Sequence, residues 1–237
     1  MLETLIGADT ELFLWFNSFH NPFWDIFMRI VSGRIIWIGL YISLLYALWR
    51  AYGWKNMLII GIACGIAVAC ADQLTASVLR PYFGRMRPAN PDNPLSEIVH
   101  IVDGYRSGRF GFPSSHAANT FVVATLLSLV FRRLRFTIAI FCWALLNCYS
   151  RLYLGVHYPG DLLAGIIIGF SCGLFFYFIV RLLNGYIATD RRLGRSDKNL
   201  RAIVFGHIVK YQAVDIAIIM ELLTVAGVLI CEISFLY

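Results

Sequence analysis

The stretch Ser150–Asp161 carries an arginine, a histidine and an aspartate between two long apolar segments. Ionisable side chains beside membrane-crossing segments are costly and are expected mainly at functional sites. If the second segment is already helical at His157, the i, i+4 spacing brings Asp161 within reach of the imidazole. A carboxylate there fixes the tautomer of the ring and makes its other nitrogen a better nucleophile or base. Taken alone, the stretch also fits an interfacial cluster that only anchors a loop.

Two more stretches carry groups that suit a phosphate. Arg80–Pro88 contains three arginines, and guanidinium forks donate to phosphate oxygens in a planar, bidentate geometry while staying charged. Pro113–His116 lies directly before an apolar segment, so Ser114 and Ser115 place backbone N–H groups at a helix N-terminus, where the dipole favours an anion and a serine hydroxyl is a further candidate donor. Taken singly, Arg87 also fits an interfacial charge and Ser114 an ordinary N-cap. The three stretches together predict a phosphate site.

The composition is that of a polytopic membrane protein. Of the 237 residues, 59% are hydrophobic and only 14% are charged, whereas soluble domains are about 45–50% apolar. The formal net charge of +6 is not gathered into a basic patch of the kind that binds nucleic acid, so we expect no nucleic-acid partner.

Six apolar runs approach the roughly 20 residues that a helix needs to cross a bilayer. The third run is short and begins at the predicted phosphate site, so we expect its first turn at the membrane surface. We predict an all-α, polytopic membrane protein with six transmembrane helices, folded as a single membrane-embedded domain over residues 1–237. The runs are approximately Ile30–Trp49, Trp54–Leu79, His116–Phe131, Phe136–Tyr153, Leu162–Leu183 and Ala213–Phe235.

The N-terminal segment, residues 1–20, is typical of an interfacial helix. Its apolar side is broken by polar residues, and Asn21–Pro22 is expected to close it with a turn. The segment contains Glu3, Asp9 and Glu11 but no basic residue, so it lacks the basic start of a cleavable signal peptide. A frayed apolar tail is the alternative interpretation.

The basic residues predict the orientation. With six crossings, the basic residues divide unevenly between the two faces of the membrane. By the positive-inside rule, the face with more basic residues is cytoplasmic. Both termini and the predicted phosphate site then face outward. The predicted cytoplasmic residues are Arg50, Lys55, Arg132, Arg133, Arg135, Arg181, Arg191, Arg192, Arg195, Lys198, Arg201 and Lys210. The opposite face carries Arg29, Arg34, Arg80, Arg85, Arg87, Arg106, Arg109 and Arg151.

Four carboxylates, Asp72, Asp215, Glu221 and Glu232, fall within the predicted crossings. Carboxylates at membrane depth are functional candidates by default. No motif links these four to the phosphate site, so we interpret them as structural. The sequence shows neither the close Cys/His spacing of a zinc site nor a carboxylate cluster that suits Mg²⁺, and we predict no metal and no cofactor.

The three stretches resemble the three signature motifs of the type-2 phosphatidate phosphatase family of membrane lipid phosphatases, which are related to vanadium haloperoxidases. The matching segments are Arg80-x6-Arg87-Pro88, Pro113-Ser114-Ser115-His116 and Ser150-Arg151-x5-His157-x3-Asp161. The resemblance covers roughly residues 54–183, and the order of the motifs agrees. Two positions depart from the family, which usually has Lys in place of Arg80 and Gly in place of Ser115.

The resemblance implies a role for each of these residues. His157 attacks phosphorus, Asp161 orients His157, and His116 protonates the leaving oxygen. The phosphate is held, without a metal, by Arg80, Arg87, Ser114, Ser115 and Arg151. Phosphate monoesters are among the slowest compounds to hydrolyse unaided, so neutralising the transferred group and positioning a nucleophile are the effects that matter.

We therefore expect an integral-membrane lipid phosphatase in a bacterial cytoplasmic (inner) membrane, acting through a phosphohistidine at the periplasmic face. Its partners are the bilayer and a lipid phosphate, and no obligate protein partner is predicted. By resemblance, the candidate substrates are undecaprenyl diphosphate, the phosphates of lipid A, phosphatidylglycerol phosphate and phosphatidate, of which the first two suit a periplasmic site best. The alternatives are a phosphotransferase that gives the phosphoryl group to a hydroxyl, and a transporter or non-catalytic binding protein that kept the anion site.

Overall fold

The computed structural model of the chain describes residues 1–192 and 200–236, and helices account for nearly all of its regular structure. Arg195 and Lys198, assigned above to the cytoplasmic face, lie outside the described residues. The helices are α1 (Leu2–Asn17), α2 (Pro22–Val31), α3 (Ile38–Tyr52), α4 (Trp54–Gln73), α5 (Arg80–Phe83), α6 (Ser115–Phe131), α7 (Leu134–Tyr153), α8 (Pro159–Arg192) and α9 (Leu200–Leu236). A π-helical turn, Leu74–Leu79, joins α4 to α5.

Five described segments are long and apolar enough to cross a membrane. The third predicted crossing corresponds to α6, which has 17 residues and begins at the predicted phosphate site. The predicted all-α membrane fold is confirmed. The five segments are Ile35–Tyr52, Trp54–Phe83, Leu134–Tyr153, Pro159–Leu183 and Val214–Glu232.

The start of the first predicted crossing was wrong, because a second short helix precedes it. Asn21 does not merely close a turn: its side chain accepts a hydrogen bond from the Trp24 N–H, and Pro22 occupies the first helical position of α2. Both features start helices, since an N-cap oxygen satisfies a free N–H and proline lacks one. The chain then breaks after Val31, and the crossing segment begins at Ile35.

Helix α6 is held against α8 by three glycines spaced four residues apart. A Cβ at Gly165 would lie 2.4 Å from the Ser114 carbonyl oxygen, and one at Gly169 would lie 2.3 Å from the Ala118 carbonyl oxygen. Gly173 continues the stripe, where a Cβ would lie 2.9 Å from the Thr125 side chain. Small residues at this spacing let membrane helices approach closely. The contact fixes the beginning of α6 beside the beginning of α8, where two of the predicted motifs lie.

Helix α9 packs along α3 and reaches α2 at the end that lies near the predicted site. The buried Glu232 accepts a hydrogen bond from the Phe27 N–H at 3.2 Å. This contact joins the last helix to the second one and supports the structural interpretation of Glu232.

Candidate active site

The three predicted stretches meet at one end of the helix bundle. The Ser114 N–H donates to the Asp161 carbonyl oxygen at 2.9 Å, which joins the start of α6 to the start of α8. The Ala89 N–H donates to the Gly155 carbonyl oxygen at 3.0 Å, which joins the loop after α5 to the turn after α7. Backbone hydrogen bonds between loops therefore set the relative positions of the motifs.

His157 lies at the centre of this site and is 1% exposed. Its Nδ1 is 3.3 Å from Asp161 Oδ2, and its Nε2 is 2.7 Å from Arg87 Nη1. Because arginine can only donate, Nε2 must be the accepting nitrogen, and Nδ1 then carries the proton and donates to Asp161. The predicted pairing of His157 with Asp161 is present, although α8 begins at Pro159 rather than at His157.

The surroundings of His157 favour the neutral ring. Burial, followed by the nearby charges of Arg87 and Arg151, holds the pKa of the His157 imidazole well below its usual range. Protonation would place a third positive charge among these groups in a site that excludes water. At neutral pH the ring therefore presents a lone pair on Nε2.

Arg87 and Arg151 are themselves almost completely buried. Arg87 also donates to the Val156 carbonyl oxygen at 2.9 Å, and burial together with Arg80 and Arg151 lowers its pKa to about 9. Arg151 donates to the Ser32 hydroxyl and, at 3.3 Å, to the Tyr105 hydroxyl.

The three predicted phosphate-binding arginines each keep a free donor. The buried Nε atoms of Arg80, Arg87 and Arg151 have no hydrogen-bond partner within the described part of the chain. Buried donors are usually satisfied, and arginine N–H groups bind phosphate oxygens well. The arrangement therefore suits an anion that lies between the three guanidinium groups.

The two departures from the family motifs contact one another. Arg80 Nη2 donates to the Ser115 hydroxyl at 2.8 Å and to the Pro113 carbonyl oxygen at 3.2 Å. The Ser115 hydroxyl also lies 2.8 Å from Thr75 Oγ1, whose own proton is directed to the Ala71 carbonyl oxygen. Ser115 therefore donates to Thr75 and accepts from Arg80. The serine hydroxyl orients the longer arginine, which gives a physical reason for the two residues to occur together.

The prediction for Ser114 needs a correction. Its backbone N–H, expected to face an anion, donates to the Asp161 carbonyl oxygen instead. Its hydroxyl accepts from the Ala117 N–H at 3.4 Å, as an N-cap does. The hydroxyl proton remains free to be donated, so any contact from Ser114 to a phosphate comes from its side chain.

His116 lies on the first turn of α6. It lines a cavity of about 380 Å³ together with Asp72 and Asn119, and it is close enough to His157 for the two rings to interact electrostatically. The structure therefore brings Asp72, interpreted above as unconnected with the motifs, to the same cavity as one of the two motif histidines.

Comparisons with known proteins agree with this geometry. Residues 57–184, more than half of the chain, match the PAP2 superfamily. The chain belongs to the PAP2 superfamily. It is 43% identical over 233 residues to the lipid A 4'-phosphatase of Bacteroides thetaiotaomicron, covering 98% of this chain and 99% of that protein. It is 27% identical to the undecaprenyl-diphosphatase BcrC of Bacillus subtilis, covering 72% of this chain and 82% of that protein.

A solved structure has the same fold. The crystal structure of Aquifex aeolicus LpxE superimposes with a TM-score of 0.54 and 27% identity, covering 70% of this chain and 93% of that one. The family membership, the apolar helices and the relatives together identify the chain as a membrane lipid phosphatase.

Sequence reasoning missed one ion-pair network of this PAP2 site. Arg85 Nη1 lies 3.0 Å from Asp161 Oδ1, and Arg85 Nη2 lies 2.7 Å from Asp9 Oδ2. Asp9 also accepts a hydrogen bond from the Gly160 N–H at 2.7 Å, and the Arg85 guanidinium stacks 3.8 Å from the centre of the Tyr158 ring. Helix α1 is thereby tied to Asp161, the residue that supports His157.

One feature of the sequence pointed to this network, the position of Arg85 two residues before Arg87. Nothing in the sequence pointed to Asp9.

Gly111 is a second residue that the motifs did not reveal. A Cβ at this position would lie 2.9 Å from Asp161 Oδ2 and 3.1 Å from Arg87 Cγ. The Gly111 N–H donates to the Arg85 carbonyl oxygen at 2.8 Å, which holds the loop in place. The loop backbone can lie against the pair of Asp161 and His157 only because this residue has no side chain.

Proposed function

We propose that the chain hydrolyses a phosphate ester of a lipid A-type glycolipid at the periplasmic face of the inner membrane, through a phosphohistidine at His157. The observation that carries the mechanism is the accepting Nε2 of a neutral, buried His157 beside three arginines with free N–H donors. The preference for lipid A over other lipid phosphates rests on the relative that is 43% identical along almost the whole chain.

In the first step, Nε2 of His157 attacks phosphorus in line with the leaving oxygen. The bond from nitrogen to phosphorus forms and the bond from phosphorus to the sugar oxygen breaks. His116, which carries a proton once the phosphate dianion offsets the charges of Arg80, Arg87 and Arg151, gives that proton to the sugar oxygen. Asp161 accepts the Nδ1 proton in a hydrogen bond and so stabilises the positive charge that the ring acquires. Proton donation to the leaving oxygen is typically worth about 10²–10⁴-fold.

Arg80, Arg87 and Arg151 neutralise the phosphoryl group while it is transferred. Charge on its oxygens is what an enzyme must stabilise in this reaction, and donors fixed in a buried site need little reorganisation to do so. The three guanidinium groups are already fixed by contacts to the Ser115 hydroxyl, the Val156 carbonyl and the Ser32 hydroxyl.

In the second step, water attacks the phosphohistidine and His157 leaves as the neutral ring. His116, now deprotonated, takes a proton from the attacking water and is thereby restored for the next cycle. Inorganic phosphate leaves, and protons and charges balance over the two steps without a further reactant.

The course of α6 supports the proposed periplasmic orientation. The helix begins at the site and ends beside Arg132, after 17 residues, which is about 26 Å at roughly 1.5 Å per residue. Arg132 and Arg135 therefore lie at the end of the bundle away from the site, as the positive-inside rule requires for a periplasmic site. Single cysteines at Gly108 and Arg135, in a background without the native six, test this in spheroplasts. A membrane-impermeant thiol reagent should label only the cysteine at position 108, and labelling of position 135 alone would reverse the orientation.

The proposed substrate is tested with purified protein in detergent micelles. Phosphate release is measured from lipid A that carries a sugar phosphate and from undecaprenyl diphosphate, with the His157→Ala variant as the inactive control. We expect the higher kcat/KM for lipid A and release of free phosphate without an added acceptor. Activity confined to undecaprenyl diphosphate contradicts the proposed substrate, and dependence on an added hydroxyl acceptor contradicts hydrolysis.

A further inference from the structure

The cavity beside His116 is shaped by one face of α4. Gly65, Val68, Ala69 and Asp72 all line it, and their i, i+3, i+4, i+7 spacing places them in a single stripe. Three of the four are small or apolar, so the stripe leaves space and carries one polar group. That group, Asp72, lies at the end of the stripe that is closest to the phosphate site.

The opposite wall of this cavity comes from α6. His116, Asn119 and Thr120 line it, one helical turn apart. In the proposed reaction His116 protonates the leaving oxygen, so the group that carries this oxygen must lie on the side of His116. The cavity is therefore on the leaving-group side of the phosphate, not on the side of His157 and Asp161.

The hydrogen bond between the two walls leaves an acceptor free. Asn119 Nδ2 lies 3.0 Å from Asp72 Oδ1. A carboxylate can only accept, so the amide of Asn119 must present its NH₂ group to Asp72 and its oxygen elsewhere. That oxygen, Asn119 Oδ1, is buried and has no partner among the described residues. A buried acceptor without a donor is costly, and a ligand that brings an N–H or O–H group would satisfy it.

The charge of the cavity also selects its ligand. The Asp72 carboxylate attracts hydroxyl and amide donors, whereas it repels a second phosphate. Arg34 also lines the cavity but is exposed to solvent, which weakens its attraction for an anion. Beside Asp72, a neutral leaving group rich in donors therefore suits the cavity better than an anionic one.

A second, apolar cavity of about 340 Å³ continues from the first. The two share Tyr41, Gly65, Val68, Asn119 and Thr120. The further walls are apolar and include Leu44, Leu48, Val123 and Leu127. An apolar chain attached to a polar headgroup would thus pass from the donor-selective cavity into the bundle.

We infer that the cavity beside His116 is the leaving-group site for an acylated sugar, in which Asp72 and Asn119 bind its hydroxyl or amide groups and select against diphosphates. This inference rests on the proposed function, because the side of His116 is the leaving-group side only if His116 is the acid. It adds two specificity-determining residues that lie outside the three motifs.

The test measures kcat/KM for three substrates with the full chain in detergent micelles. They are lipid A carrying a sugar phosphate, undecaprenyl diphosphate and p-nitrophenyl phosphate, whose leaving group has no hydroxyl to bind. Asp72→Asn keeps the shape of the side chain and an acceptor for Asn119, and Asn119→Leu removes the free acceptor at similar volume. Glu221→Gln is the matched control, since Glu221 is a carboxylate within a membrane segment that does not line the cavity.

Both cavity variants should lower the ratio of kcat/KM for lipid A to that for p-nitrophenyl phosphate. Asp72→Asn, which loses a hydrogen bond to a charged group, should lower it by about tenfold or more, and Asn119→Leu, which loses one to a neutral group, by roughly two- to tenfold. Asp72→Asn should also raise the ratio of kcat/KM for undecaprenyl diphosphate to kcat/KM for lipid A. Glu221→Gln should leave both ratios at their wild-type values. An equal loss on all three substrates, or no change in either ratio, overturns the inference while the proposed function stands. A wild-type protein that releases no phosphate from lipid A overturns both.

Discussion

Arg87 Nη1 donates to His157 Nε2 across 2.7 Å, so a phosphate-binding arginine covers the lone pair of the proposed nucleophile. The same guanidinium keeps a second hydrogen bond to the Val156 carbonyl and a free Nε. In the proposed reaction, an arriving phosphate draws Nη1 onto one of its oxygens, and the lone pair of Nε2 then faces phosphorus. Substrate binding and exposure of the nucleophile are coupled through one side chain.

The coupling between these two residues predicts a shift in pH dependence. Removing the Arg87 charge with Arg87→Gln takes away a group that disfavours the protonated ring, so the pKa of His157 should rise towards its usual value of about 6.5. The neutral ring is then lost at a higher pH, and the acidic fall of kcat/KM should move upward. The rate at neutral pH should also drop by about 10²–10³-fold, as when a donor to the transition state is removed.

The measurement is kcat/KM against pH for wild type and Arg87→Gln on the same aryl phosphate, so that titration of the substrate cancels. Arg109→Gln is the control, because Arg109 lies in the same loop but is exposed and pairs only loosely with Asp92 at 3.7 Å. An acidic fall at the same pH in all three proteins would show that Arg87 does not set the pKa of His157.

The two histidines should respond differently to the leaving group. His157→Ala should abolish turnover on every substrate, because no other group in the site can attack phosphorus. His116→Ala should lose about 10²–10⁴-fold on a lipid alkyl phosphate, but much less in the first step on an aryl phosphate whose phenolate leaves without a proton. Rapid mixing with p-nitrophenyl phosphate should give His116→Ala a burst of about one equivalent of nitrophenol, followed by a stall, since His116 also activates the second-step water.

Acid-labile phosphate on the protein, measured in parallel with the burst, identifies the phosphohistidine. The burst should be present in His116→Ala and absent in His157→Ala. Loss of the burst to the same extent in both variants would falsify the assignment of the acid and the nucleophile.

The contact between Arg80 and Ser115 predicts that these two positions change together. Arg80→Lys removes the guanidinium that donates to the Ser115 hydroxyl, and Ser115→Gly leaves Arg80 Nη2 with only the Pro113 carbonyl oxygen as acceptor. The double variant carries the Lys and Gly that are usual in the family. Its loss in kcat/KM should be smaller than the product of the losses in the two single variants, with a coupling energy of about 0.5–3 kcal/mol. Simple additivity of the three kcat/KM values would mean that the hydrogen bond has no role in holding the phosphate.

The parts of the site that the sequence predicted are those set by local geometry. The contact from His157 to Asp161 follows from a spacing of four residues beside a helix start, and the placement of His116 follows from the beginning of an apolar segment. The all-helical membrane fold follows in the same way from the apolar runs, because an isolated apolar run in a bilayer has to form a helix.

The parts that sequence reasoning missed depend on contacts between distant segments. The ion pair of Asp9 with Arg85 joins residues 76 positions apart, and no local pattern encodes it. The location of Asp72 at the cavity beside His116 was not predicted for a related reason: α4 is apolar on nearly all sides, so its sequence does not show which face lies against α6. Orientation of this kind is set by the packing of small residues against neighbouring helices.

The missing side chain at Gly111 gives the most local test of the site. Gly111→Ala adds a Cβ that would lie 2.9 Å from Asp161 Oδ2 and 3.1 Å from Arg87 Cγ, so the carboxylate and the imidazole that it supports must shift. A displacement of about 1 Å at a reacting group can cost about 10²-fold, and we expect kcat/KM to fall by that order on every substrate. Gly108→Ala is the matched control from the same loop, since a Cβ there has no atom within 4 Å. Full activity of Gly111→Ala, measured next to Gly108→Ala on p-nitrophenyl phosphate, would mean that the position of Asp161 against the loop does not limit the attack by His157.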